Sequence, residues 1–337
     1  METSNELQQQ LFAYLKTTIP SHVSLVDELG DLLGLSADSV YRRMRGEKPI
    51  TLTELKVICE HYRLSLDQLL QLRNETVLFD APGMNSGNPG EFIEYMHEMI
   101  KLFKHFNSFK VKDIQYLCKD CTIWNFYLFP EMAAFKTFFW SKTINNQPGL
   151  GQKLFSFEEF PYTDCYTIGQ QVLREYNEIP SIELWNLESM HSTINQVAYY
   201  RDAGNFKTQH DFDLVINSFH QLIDHLQLQA EKGVKFMPGD SELSYKATIH
   251  YYVNELILGN NNMVLNLDGQ RTTMITYSVF QYLFTKDERF TSKVVSSFDS
   301  LINRSALISK TGEKDRNRFF NKLREKVNGL RKQPVTS

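Results

Sequence analysis

The segment SLVDELGDLLGLSADSVYRRMRGEKPITLTELKVICEHYRLSLDQLL, from Ser24 to Leu70, constrains the fold more than any other part of the chain. Its apolar residues recur at helical spacing, with capping residues placed between the repeats. A helix is predicted over Leu25 to Leu33, with Leu29, Leu32 and Leu33 inward and Ser24 as its cap. Gly34 can take a left-handed backbone angle at the end of that helix, Leu35 plugs the core and Ser36 caps the next helix. Gly30 suits a steep crossing of two helices on a four-residue connection, where the backbones come close.

The second helix is predicted over Ala37 to Met44. Val40 and Met44 face inward, four residues apart, and Ala37, Asp38, Tyr41, Arg42 and Arg45 face outward. Gly46 ends this helix, and Glu47, Lys48, Pro49 and Ile50 lead to a Thr-x-x-Glu capping box at Thr51 and Glu54. Ser65 and Gln68 repeat the device ahead of Leu69.

In these residues the chain resembles the Cro and phage-repressor family of helix-turn-helix domains, the xenobiotic-response-element type, over residues 5 to 72. The resemblance implies a lambda-repressor-like domain of five helices. The first would run from Asn5 to Thr17, with Leu7, Leu11, Leu15 and Ile19 as its apolar stripe. It further implies that Ala37, Asp38 and Arg42 face base edges, and that Ser36, Tyr41, Arg43, Arg45 and Lys48 lie along the DNA backbone. This chain departs from the pattern at Leu25 and Val26, where the family often carries a polar residue that touches phosphate.

Charge is unusual for such a domain. Residues 1 to 73 hold eight Lys or Arg against ten Asp or Glu, an acidic balance that implies weak non-specific affinity. Arg42, Arg43, Arg45 and Lys48 nevertheless sit within seven residues, opposed only by Glu47, so positive charge gathers where a duplex would dock. Arg42 can give two donors to guanine O6 and N7, and Asp38 can accept from cytosine N4. The alternative for these two, four residues apart, is an exposed helical ion pair worth about 0.2–0.5 kcal/mol.

The whole chain, 337 residues with 42% hydrophobic, 23% charged and a formal net charge of -4, fits a folded protein of two or three domains. Residues 80 to 90 carry Pro82, Gly83, Gly87, Pro89 and Gly90 and lack periodicity, so the domains are placed at 1–75 and 91–337 with a linker at 76–90. The fold class expected is mainly α, the larger domain being helix-rich α+β. Its helices are read at Glu91 to Phe109, Tyr166 to Asn177, Ile182 to Ala203, Asp211 to Lys232, Leu243 to Leu258, Asp287 to Asn303 and Glu313 to Val327. Asn262 to Leu267 and Gln270 to Tyr277 flank Asp268-Gly269, the signature of a type I′ β-hairpin. Residues 240–332 are a candidate sensor sub-module. Fourteen aromatic residues between Phe92 and Trp140 suit a large core or a pocket for an apolar ligand.

Several functions are disfavoured by the same reading. The start METSNELQQQ lacks the basic and apolar regions of a signal peptide, and no run of eighteen uncharged apolar residues exists to span a bilayer, so a cytoplasmic setting is expected; a prokaryotic, nucleoid-associated one follows from the function that the resemblance implies. Cys59, Cys118, Cys121 and Cys165 fit a reducing compartment. Cys118-x-x-Cys121 could be a redox couple or half a zinc site, but no second Cys pair or His pair completes it, so it is read as helical core, and neither metal nor cofactor is assigned. SKTGEK, from residue 309, lacks P-loop spacing. Residues 310–332 carry a net charge of +6, which could touch flanking DNA or an anion, or be a solvated face.

The leading expectation is a sequence-specific transcription regulator, repressor-like and not an enzyme. It would dimerise to put two recognition helices into successive major grooves of double-stranded DNA, with an unidentified small-molecule or peptide effector. One alternative is an antitoxin-like or protein-binding helix-turn-helix module, motivated by the acidic balance. The other is an enzyme with a regulatory DNA-binding head, for which no nucleophile, base and orienting group stand at recognisable spacing.

Overall fold

The computed structural model describes residues 4–20, 23–62, 64, 77–81, 91–160, 162–244, 247–255, 261–278 and 280–332. At the N-terminal end four helices enclose a small core of their own. They are α1 (Ser4–Thr18), α2 (Leu25–Leu33), α3 (Ala37–Met44) and α4 (Leu52–Tyr62). Leu11, Phe12, Leu15, Leu25, Leu29, Val40 and Ile58 are its buried residues. Leu25 is thus core, and its side chain is committed inward rather than toward a ligand. The fifth helix expected after Ser65 lies outside the described residues, as does most of the 76–90 linker.

Local chemistry explains the boundaries. The Ser24 hydroxyl accepts from the Asp27 amide at 3.4 Å, and Gly34 closes α2 with φ of 63°. A Cβ on Gly30 would stand 3.1 Å from the Leu35 carbonyl oxygen, so the α2–α3 corner is tight at that point. The Ser36 hydroxyl accepts from the Ser39 amide at 3.4 Å. The Thr51–Glu54 capping box is reciprocal: the Glu54 amide donates to the Thr51 hydroxyl and the Thr51 amide to the Glu54 carboxylate.

The larger body is built on one seven-stranded mixed sheet. Its strands are β1 (Lys112–Leu117), β2 (Ser181–Trp185), β3 (Ile249–Val253), β4 (Asn262–Leu267), β5 (Gln270–Ser278), β6 (Gln281–Thr285) and β7 (Ala306–Leu307), in the order β6-β5-β4-β1-β2-β3-β7. Strands β1, β2 and β3 run parallel, and β4 to β7 each pair antiparallel with a neighbour. The sheet is therefore much more than a hairpin. The β4–β5 turn carries positive φ at both Asp268 (48°) and Gly269 (89°), as a type I′ connection requires.

Helices cover both faces of the sheet. One face carries α5 (Glu91–Asn107), α6 (Pro130–Phe139), α7 (Thr163–Asn177), α8 (His191–Asp202), α9 (Gln209–Lys232) and α11 (Glu313–Lys332). On the other, α10 (Glu288–Ile302) sets Phe298 against Leu117 and Leu184. Alternation along β1 sends Ile114 and Tyr116 to the first core and Leu117 to the second. The aromatic run after Phe92 is interior, with Phe126, Phe135, Phe138 and Trp140 fully buried.

Four expectations are corrected here. Ile182 to Ala203 is a strand followed by a helix that begins only at His191, and Leu243 to Leu258 holds β3 after a short 3-10 turn. β2 lies between two parallel neighbours and is buried at four of its five positions, so it lacks the alternation of a half-exposed strand, whereas β3 alternates in burial but carries His250 and two tyrosines in a run of only five residues. Residues 240–332 are not a separate module, because β3 pairs with β2 and β4 with β1. Cys118 and Cys121 are core residues, but they sit in the loop after β1 rather than on a helix.

Candidate nucleic-acid interface

The exposed side of α3 carries most of the residues that the resemblance singled out. Ser36, Ala37, Asp38, Tyr41, Arg42, Arg45 and Lys48 are all exposed, and Val40 is buried beneath them. Helical period explains the set: 37, 38, 41, 42 and 45 lie on one face, opposite 40 and 43.

Arg43 is the exception and a correction. Only 3% exposed, it faces the head core three residues from Val40. Its guanidinium donates to both Glu54 oxygens, at 2.7 and 3.3 Å, and to the Ser39 carbonyl at 3.1 Å. It fastens α3 to α4, with its guanidinium turned away from the exposed face where the resemblance would have it meet a phosphate. Burial works to raise the Glu54 carboxyl, yet hydrogen bonds from Arg43 and Thr51 and the nearby charge outweigh it and hold the group below the ordinary carboxylate value. A carboxyl depressed on folding stabilises fully above its unfolded value, and the gain is lost as pH falls through the folded value. Stability of the head is accordingly expected to stay level at neutral pH and to drop in acid below the ordinary carboxylate range. In Glu54→Gln, acid unfolding followed by circular dichroism should show a flatter decline.

Gln8 completes the mounting of the face. From α1 its amide nitrogen donates to the carbonyls of Arg43 (2.7 Å) and Lys48 (2.9 Å), and its oxygen accepts from the Ile50 amide (2.8 Å). The loop after α3 is thus pinned by a buried carboxamide that the sequence patterns do not single out. A lone glutamine on the apolar side of a helix is the one faint signal of it.

Glu47 gathers the outward cations. Arg45 donates through Nε and Nη2 to its two carboxylate oxygens at 2.6 and 3.1 Å, and Arg42 Nε stands 3.8 Å from it. Arg42 therefore pairs with Glu47, and the Asp38–Arg42 pair that the spacing allows does not form. The Arg45 hydrogen bond holds the Glu47 carboxyl below its ordinary value.

The basic C-terminal helix is a different case. Arg318 and Lys322 approach Glu255, Arg324 binds Asp224, Lys326 binds Glu188, and buried Arg316 donates to the Ile308 and Thr311 carbonyls. Much of its charge is thus paired with acidic groups of the body. The Cys118 thiol points at Tyr116 and Glu183, both 3.8 Å away, and burial pushes it and the Cys121 thiol well above the usual range, against nucleophilic use. Among the described residues no cluster of three His, Cys, Asp or Glu side chains is placed to hold a metal, and no helix is long and apolar enough to cross a membrane.

Neither the curated proteins nor the solved structures contain a match to the chain. Residues 9–99 match the model of the BetR domain, a helix-turn-helix-like DNA-binding domain of transcription regulators. The match runs from α1 into the first half of α5, just over a quarter of the chain, and points to a DNA-binding regulatory role at the N-terminal end.

Proposed function

We propose that this protein is a sequence-specific transcription regulator whose α3 enters the major groove, with Ala37, Asp38 and Arg42 toward the bases and Ser36, Tyr41, Arg45 and Lys48 toward the backbone. The observation that carries this reading is one exposed face, on a rigidly mounted helix, that collects every outward cation of residues 37–48. Two copies of the chain would present two such helices to half-sites about one helical turn apart. Salt dependence tests it. Affinity for a selected duplex is expected to fall steeply between about 50 and 200 mM salt as phosphate counterions are released. A flat response would instead favour a protein-binding head, a reading supported by Leu52, 85% exposed at the start of α4.

The body would report a signal to the head. A cleft of about 1270 Å³ is lined by Thr17 and Tyr62 of the head and by Tyr95, Phe106 and Phe284 of the body. Asp80, which leads from the head, exchanges backbone hydrogen bonds with Phe284 on edge strand β6, at 2.7 and 2.8 Å. The lining also includes Glu60, Glu94, Glu98, Arg271 and Lys286, so a ligand with both apolar and charged parts would touch head, tether and body at once and favour one arrangement over another. Such a ligand should alter duplex affinity in an anisotropy titration; tight binding with affinity unchanged would separate the cleft from regulation.

A further inference from the structure

The recognition face carries its own competitor. Gly46, at φ of 77°, turns the chain straight back after α3, and the Glu47 and Lys48 amides donate to the Arg42 carbonyl at 2.8 and 3.3 Å. Gln8 holds the far side of the same loop through Lys48 and Ile50. These bonds fix the Glu47 backbone beside the end of α3, within reach of Arg42 and Arg45 for its side chain.

There it meets Arg45 through two parallel N–H donors, the fork geometry in which a guanidinium also takes a phosphate. The side chains of Arg42, Arg45 and Glu47 are 52%, 54% and 48% exposed, so an incoming anion can reach and replace the carboxylate. The Arg43–Glu54 pair, 4% and 17% exposed, offers no such exchange. Lys48 has no acidic partner among the described residues.

We propose that Glu47 is an intramolecular stand-in for DNA phosphate, holding Arg42 and Arg45 until a duplex supplies both a backbone oxygen and the right base. The inference rests on the DNA-binding reading above. A non-cognate duplex offers phosphate alone, which swaps one anion for another and brings the displaced carboxylate near the negative backbone. A cognate duplex adds the base contact of Arg42, which the carboxylate cannot imitate. Glu47 therefore suppresses non-specific binding more than specific binding, and acts as a determinant of specificity without touching a base.

The test is fluorescence anisotropy on the full chain, with a duplex selected by the wild type and a scrambled one, across a salt series. Glu47→Gln keeps the shape and removes the charge. It is expected to raise affinity for the scrambled duplex about tenfold and for the selected duplex at most about threefold, and to steepen the scrambled salt slope by about one. Glu47→Asp, which keeps the charge, should stay nearer the wild type. On the scrambled duplex Asp38→Asn removes equal charge from the same face without removing a hydrogen bond or ion pair from either guanidinium, and should gain less than Glu47→Gln.

Equal gains for Asp38→Asn and Glu47→Gln would reduce the effect to bulk charge and overturn the proposal. So would a loss of selected-duplex affinity in Glu47→Gln, which would make the carboxylate a support for Arg42. If the wild type selects a duplex and Glu47→Gln matches it, this inference alone fails. If the wild type selects none, the DNA-binding reading fails and takes the inference with it.

Discussion

Replacing Arg43 with alanine is expected to cost the head about 3 kcal/mol, the low end of what removing one partner of a buried ion pair does. Three contacts disappear together: two to Glu54 and one to the Ser39 carbonyl. Glu54 would keep the Thr51 amide but lose its compensating charge, with its side chain only 17% exposed. Because head and body have separate hydrophobic cores, urea denaturation should show an early head transition with the body transition unmoved. Arg43→Met combined with Glu54→Leu should recover much of the loss, since apolar replacement of a whole buried pair is often neutral or better. If Arg43→Ala instead left stability within about 0.5 kcal/mol, as a surface change would, the fastener role would be wrong.

The second large effect is on recognition. Arg42→Ala is expected to remove about 1–3 kcal/mol of discrimination at one base pair and leave the others intact. Lys48→Ala should weaken every duplex alike and lower the salt slope by about 0.9. The two variants share an exposed face, so neither should disturb folding. A comparison across single-base-pair variants of the selected duplex separates them. Equal losses on every duplex for Arg42→Ala would move that residue from base reading to the backbone.

Much of the head is legible in the sequence because its devices are local. Ser24, Gly34, Ser36 and the Thr51–Glu54 box act within four residues, and α2 and α3 begin and end where those residues say. The hairpin at Asp268-Gly269 is legible for the same reason. What escapes depends on residues far apart in sequence. Strand β2 carries Glu183, wholly buried, where Tyr176, Ser181 and Trp185 satisfy it with hydrogen bonds. A charged residue in a short run next to helical text hides a central strand, and only the partners make it tolerable.

The exposed face of α3 shows both sides of this limit. Periodicity identifies its exposed residues and leaves Arg43 off that face, whereas the resemblance, carried over residue by residue, sets Arg43 along the DNA backbone. Position 43 lies one turn from Val40, and an arginine there turns inward when a carboxylate such as Glu54 waits to meet it. Gln8 and Glu47 take their roles from the tertiary fold and from a tight turn, which no spacing rule conveys.

Selection of duplexes from a random pool by the full-length protein at low salt, with sequencing of the bound fraction, tests the central claim most directly. The account predicts an enriched motif in two related halves about one helical turn apart, with one position relaxed when the selection is repeated with Arg42→Ala. A pool that emerges without enrichment, or a motif unchanged by Arg42→Ala, would contradict it.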